Sequence, residues 1–218
     1  MSWLEPIDIY CERMDASFFA EPLNAISNAA FFIAAWCAYC LYRKSGCREK
    51  ILLLPIILIA LVGTGSTLFH TFANRITEMA DVIPIVTFVL VALWMLLRRL
   101  LAFTLAQTLL ALGIFVLLAS QTGQVPGPFR LNGSIMYVPC LLMLLFIWAK
   151  LQLRAHPAAG AILRAAGIFV VSLTFRSVDM AVCDALPIGT HILWHLLNGV
   201  VLYLIAKSLL VAKAPNNI

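Results

Sequence analysis

Charge is what this sequence has least of. Only 11% of its 218 residues are Asp, Glu, Lys or Arg, less than half the roughly 25% of an ordinary soluble domain. With 63% hydrophobic residues and a mean hydropathy of +0.99, a water-soluble globule of this size would have nowhere to hide its apolar surface. The scarcity excludes a soluble domain and predicts an all-α, polytopic membrane bundle. Nothing at the start resembles a cleaved signal peptide: residues 1–22 carry Glu5, Asp8, Glu12, Asp15 and Glu21 and no apolar h-region, so a retained acidic amino-terminal segment is expected. Internal repeats and low-complexity tracts are absent. Spans of about 20 residues leave no room for a separate soluble domain, so residues 1–218 read as one transmembrane domain.

Long apolar runs give seven candidate spans: Leu23 to Tyr42, Ile51 to Phe72, Met79 to Leu97, Leu100 to Ser120, Leu131 to Ala149, Ala158 to Asp179 and Gly189 to Val211. The longest connection, Gln121 to Arg130, holds Gly123, Pro126, Gly127 and Pro128 and reads as a surface loop. An odd number of spans puts Arg43, Lys44, Arg48, Lys50, Arg98, Arg99, Lys150, Arg154, Arg164, Lys207 and Lys213 on one side with Glu49 as the only acid. The other nine acids lie opposite with Arg13, Arg75, Arg130 and Arg176. Because basic residues in short loops mark the cytoplasmic face, the amino terminus is expected outside and the carboxyl terminus in the cytoplasm. The net charge of +5 then reflects topology, and no nucleic-acid partner is needed to explain it.

Ionisable residues inside apolar spans are costly and mark function by default. Of four histidines, His156 falls in a cytoplasmic loop, whereas His70, His191 and His195 lie in or at the ends of apolar segments in the outer half of the bilayer. His191 and His195, spaced i, i+4, project from one helix face. Such a pair suits a shared metal or a buried hydrogen-bonded couple. His70, with Ser66 one turn before it, supplies a third imidazole, and three imidazoles with an open fourth position make a catalytic zinc set. Asp81 can take a proton from metal-activated water or orient a ligating histidine, or it is simply a carboxylate near a helix start. Thr77 and Glu78 are the residues that fit that start. Ser66 can stabilise an oxyanion, and with Gly63 and Gly65 it can also let helices approach closely. Cys37 and Cys40 form a CxxC inside an apolar helix, where core packing is the expectation. Arg176 and Asp179, one turn apart, are expected to neutralise each other.

This constellation resembles the alkaline ceramidases. They sit within a broader superfamily of seven-span membrane hydrolases that includes adiponectin-receptor-like proteins. The likeness rests on Ser66-xxx-His70, Asp81 and His191-xxx-His195. It extends to Tyr10-Cys11-Glu12, to Ala20 through Asn28, and to Asp179 and Cys183-Asp184. It implies zinc on His70, His191 and His195, an oxyanion role for Ser66, proton handling by Asp81, and hydrolysis of the N-acyl bond of a membrane lipid, ceramide or a related one. The short loops look bacterial, which implies an inner-membrane protein with its site toward the periplasm. Eukaryotic relatives hold calcium in the amino-terminal segment. Glu12 and Glu21 match two of its ligands while Ile9 and Met14 replace others, so a calcium site would draw on Asp8 and Asp15 as well. The resemblance pairs Cys11 with Cys183, the two cysteines on the outer side, where disulfides persist. Two other readings stay open: a zinc hydrolase of another N-acyl or ester lipid, and an adiponectin-receptor-like membrane receptor. Histidines one turn apart on one helix cannot be the two axial ligands of a haem. No protein partner is implied.

Overall fold

The computed structural model describes residues 3–211 apart from the Pro128 side chain; Lys213 of the charge count lies outside them. Among these residues the regular elements are all helices and no strand forms. α1 (Pro22–Ser27) and α2 (Ala29–Lys44) make the first crossing, followed by α3 (Leu53–Phe72), α4 (Arg75–Met95), α5 (Leu105–Gly123), α6 (Val138–Leu153), α7 (Ala159–Val178) and α8 (His191–Val211). Seven stretches are long and apolar enough to span a membrane, the number the hydropathy gives. α8 is the most enclosed of them and α5 the most exposed.

Boundaries move where polar caps act. The third crossing starts at Arg75 rather than Met79, because the Asn74 side chain accepts from the Thr77 amide at 3.1 Å while the Thr77 hydroxyl accepts from the Asn74 amide at 3.1 Å. Asp81 therefore lies in the second turn of α4. That helix runs on through a π turn, Leu96–Leu100, so the fourth crossing begins at Leu105 and not Leu100. Thr104 and Gln107 cap it reciprocally, and it continues through Gly123, which is not loop. The first crossing breaks at Asn28, whose buried amide donates to the carbonyls of Asn24 at 2.9 Å and Ala25 at 3.4 Å, offering the backbone a side-chain partner in place of the regular ladder.

Small residues bring the helices together. A Cβ on Gly65 would collide with the Ala80 carbonyl and lie 3.0 Å from Asp81 Cα, so this glycine sets α4 directly against α3 beside Ser66. Gly199 does the same for α8, where a Cβ would meet Ala30 at 3.0 Å. Cys37 is not in the core; it faces outward, with Cys40 half-buried. The amino-terminal segment folds back over the histidine end of the bundle. Ile7 N–H donates to Ala73 O at 2.7 Å and Phe19 N–H to Thr71 O at 3.0 Å, which straps the segment to the last turn of α3.

Candidate metal centre

α3 delivers His70 in its last turn, and α8 delivers His191 as its first residue and His195 one turn on. The start of α8 is fixed by Asp179, whose Oδ1 accepts from the amides of Thr190 at 2.6 Å and His191 at 2.9 Å. A carboxylate there suits the positive end of a helix. Gly189 makes room: at φ +65° it occupies the left-handed region, and any Cβ would strike the Asp179 carboxylate. The three imidazoles converge with ring centroids 4.6 to 5.2 Å apart. All three are buried, and one ring nitrogen from each lies within 4.8 Å of the others, an arrangement able to hold a metal ion.

Hydrogen bonding decides which nitrogens are free. His70 Nδ1 is bonded to Glu21 Oε2, and an ionised carboxylate only accepts, so Nδ1 carries the proton and Nε2 keeps its lone pair. His195 Nδ1 lies 2.7 Å from Ser27 Oγ. The Ser27 proton is committed to Asn24 O at 2.7 Å, so this oxygen accepts from His195 Nδ1 and the lone pair stays on Nε2, which has the Ser66 hydroxyl 3.5 Å away. Glu21 is itself buried and also accepts from Arg13 Nε at 2.7 Å and Asn24 Nδ2 at 3.2 Å. Burial pushes its carboxyl up, but the hydrogen bonds of His70, Arg13 and Asn24 outweigh this and hold it below the ordinary carboxylate range. Tyr10 stacks on His191 with centroids 3.8 Å apart, and His191 Nδ1 has no hydrogen-bond partner. Three imidazoles, two with the second nitrogen held by an oxygen and one with a buried orphan nitrogen, fit a tetrahedral ion with one open position.

Ser66 is buried, its hydroxyl 3.5 Å from His195 Nε2. Asp81 lies across the α3–α4 contact, against Gly65 next to Ser66, and has a buried Oδ1 with no partner. Of the two residues expected from the sequence to do chemistry, Ser66 stands beside His195 and Asp81 on the helix packed against Gly65. Arg176 and Asp179 do not pair. Asp179 is taken by the start of α8, while Arg176 donates to the Tyr10 hydroxyl at 3.1 Å and lies 5.1 to 5.8 Å from the ring centres of Tyr10, Tyr137 and Trp194. Aromatic faces, not a neighbouring carboxylate, accommodate this cation.

The four acids of the calcium expectation have separate places. Glu21 faces inward to His70 and Arg13. Glu12 accepts from the amides of Leu23 and Asn24 at 2.6 and 2.8 Å, capping α1. Asp15 accepts from the Ser17 amide at 2.8 Å in a local turn, and Asp8 is exposed. Among the described residues, the histidine trio is the group of three or more metal-ligating side chains close enough to share an ion. Cys11 and Cys183 stand at disulfide distance, Cα to Cα 5.2 Å, which ties the amino-terminal segment to the approach of α8. Sequence reasoning missed the roles of Ser27, Tyr10 and Arg176, and it assigned Glu21 to calcium instead of to His70.

Beside the site an apolar shaft descends between α2, α3, α4, α6, α7 and α8. Phe31, Tyr137 and Trp194 line it near the histidines, and Leu96, Leu144 and Ile205 line its far end. At 1.5 Å per residue, the ten residues from His195 to Ile205 cover roughly 15 Å. A family model described as Ceramidase matches residues 9–217, nearly the whole chain. No curated protein matches the chain.

Proposed function

The chain belongs to the ceramidase family, and from that premise we propose that it is a zinc-dependent intramembrane amidase that splits ceramide into a sphingoid base and a free fatty acid. The observation that carries this reading is the buried trio His70, His191 and His195, with two of its rings oriented by Glu21 and Ser27. A bound zinc ion supplies Lewis acidity and a water acidic near pH 7. The chain does the rest. Asp81, with an unsatisfied buried oxygen, takes the proton lost by the attacking water and hands it to the departing amine nitrogen, so the amide C–N bond breaks to a neutral amine and an acid. The Ser66 hydroxyl donates to the oxygen of the carbonyl as charge gathers there. The shaft receives one hydrocarbon chain and keeps water from it.

Arg43, Lys44, Arg48 and Lys50 cluster in the α2–α3 connection, at the end opposite the histidines. With basic loops cytoplasmic, the site opens to the outer leaflet, periplasmic in a bacterial inner membrane. The test is release of fatty acid from ceramide by purified protein, with and without a zinc chelator and after zinc is returned. Activity should vanish on chelation and come back, and His191→Ala should abolish it. Active wild-type protein free of zinc would overturn the metal role; zinc-loaded protein that leaves ceramide intact would favour another N-acyl or ester lipid, or a receptor.

A further inference from the structure

One polar side chain in the shaft has no task in that chemistry. Asn198 lies on α8 one turn past His195 and two turns past His191, on the same face, about 4.5 Å further from the site along the helix axis. Its side chain lines the shaft, the residue is only 5% exposed, and Nδ2 has no hydrogen-bond partner. The other lining residues are aliphatic or aromatic apart from the Cys140 thiol. A buried amide left unpaired is destabilising, and more so at membrane depth, where no bulk water reaches it. We propose that Asn198 is a specificity-determining residue that hydrogen-bonds a hydroxyl on the lipid chain in the shaft, so that the preferred substrates are N-acyl lipids hydroxylated close to the scissile amide.

This rests on the N-acyl-lipid reading of the site. With the scissile carbonyl at the level of the histidines, a displacement of about 4.5 Å brings the carbons a few bonds away beside Asn198. A hydroxyl there accepts from Nδ2. A bare methylene leaves the amide unsatisfied, and sites built around a polar partner reject the analogue that lacks it much more strongly than apolar pockets reject a missing methylene. The shared chemistry is a hydroxyl near the amide, on either the acyl chain or the long-chain base.

The experiment compares kcat/KM of the full chain in bilayer discs for ceramides of one chain length bearing a plain, a 2-hydroxy or a 3-hydroxy acyl group, together with a ceramide of a 3-deoxy base. Wild type should favour the hydroxylated partner by on the order of 10- to 100-fold in one of these pairs, and the pair that responds identifies the chain in the shaft. Asn198→Leu should bring that ratio to near one. Because a ratio cancels losses of folded or metal-loaded protein, Asn198→Ala gives the same answer where the leucine variant is scarce. Equal kcat/KM across all four wild-type substrates, or a ratio unchanged in both variants, overturns the proposal. Should no ceramide be cleaved, the amidase reading fails by itself, and thermal stabilisation by hydroxylated against plain ceramide still decides the role of Asn198 in the same directions.

Discussion

The two ends of the bundle are made of different material. Around the histidines the interior holds Arg13, Glu21, Asn24, Ser27, Asn28, Ser66 and Asp179. Asn28 turns back to carbonyls of its own stretch, but the others bond to further segments, and Ser27, Ser66 and Asp179 do so across more than a hundred residues. Toward the opposite end the buried residues are apolar, the exceptions being Thr108 and Ser208, whose hydroxyls turn back to carbonyls of their own stretch at 2.9 and 2.7 Å. An apolar interior tolerates exchange of one hydrophobic shape for another, whereas a buried polar network is stable only when its members find their partners. The histidine end therefore depends on particular long-range ties, and the far end on volume.

Cutting the strap tests that contrast with the largest effect. Replacing Cys11 and Cys183 together by serine releases a link across 172 residues and should cost about 2–5 kcal/mol, read as a fall in melting temperature. Hydrogen exchange should rise in residues 3–21 and 183–190 and stay unchanged in the far halves of α6 and α7. Uniform loosening of the whole bundle would mean that the two ends do not differ in what holds them.

A smaller effect separates site from scaffold. Glu21→Gln keeps the shape of the side chain but removes the charge that receives His70 Nδ1–H and Arg13 Nε–H. Metal affinity should drop about 10- to 100-fold, as when the carboxylate behind a ligating histidine is lost. Ile147→Val, at a fully buried position in the far half of α6, should lower stability by about 0.5–1.5 kcal/mol with metal affinity unchanged. Competition with a chromophoric chelator reads both, and equal metal affinity in the two variants would place the orienting role elsewhere.

The same contrast governs which features are legible in the sequence. The apolar runs, the i, i+4 histidines and Ser66-xxx-His70 are local patterns set by helix geometry, and Asp81 stands out beside them because a carboxylate inside an apolar span is costly unless chemistry requires it. The partners of Glu21 are not legible. Glu21 meets His70 across 49 residues through a segment with no period, and its pattern fits a calcium ligand as well as it fits a histidine partner. Ser27 looks like one more small residue, although it decides the tautomer of His195. The Asn74–Thr77 and Thr104–Gln107 caps are written in the sequence, yet they move helix starts by four or five residues because hydropathy responds to apolar content and not to capping.

The smallest effect belongs to the far end. Glu49 in the α2–α3 connection receives both terminal nitrogens of Arg99 from the π turn, Nη2 at 3.0 Å, and this is the ion pair found there among the described residues. The Arg99 hydrogen bonds hold the Glu49 carboxyl below its ordinary range. A depressed carboxylate contributes stability above its unfolded pKa, near 4.3, and the contribution is lost as pH falls through the still lower folded value. The Glu49 side chain is 39% exposed, so water screens the pair and Glu49→Gln should cost only about 0.2–1 kcal/mol at neutral pH. The melting-temperature gap between variant and wild type should be small at pH 7, close as the pH drops below about 4, and narrow with added salt. A loss at pH 7 as large as that from cutting the Cys11–Cys183 link would show that the basic end also relies on a specific polar tie, and the contrast between the two ends would not stand.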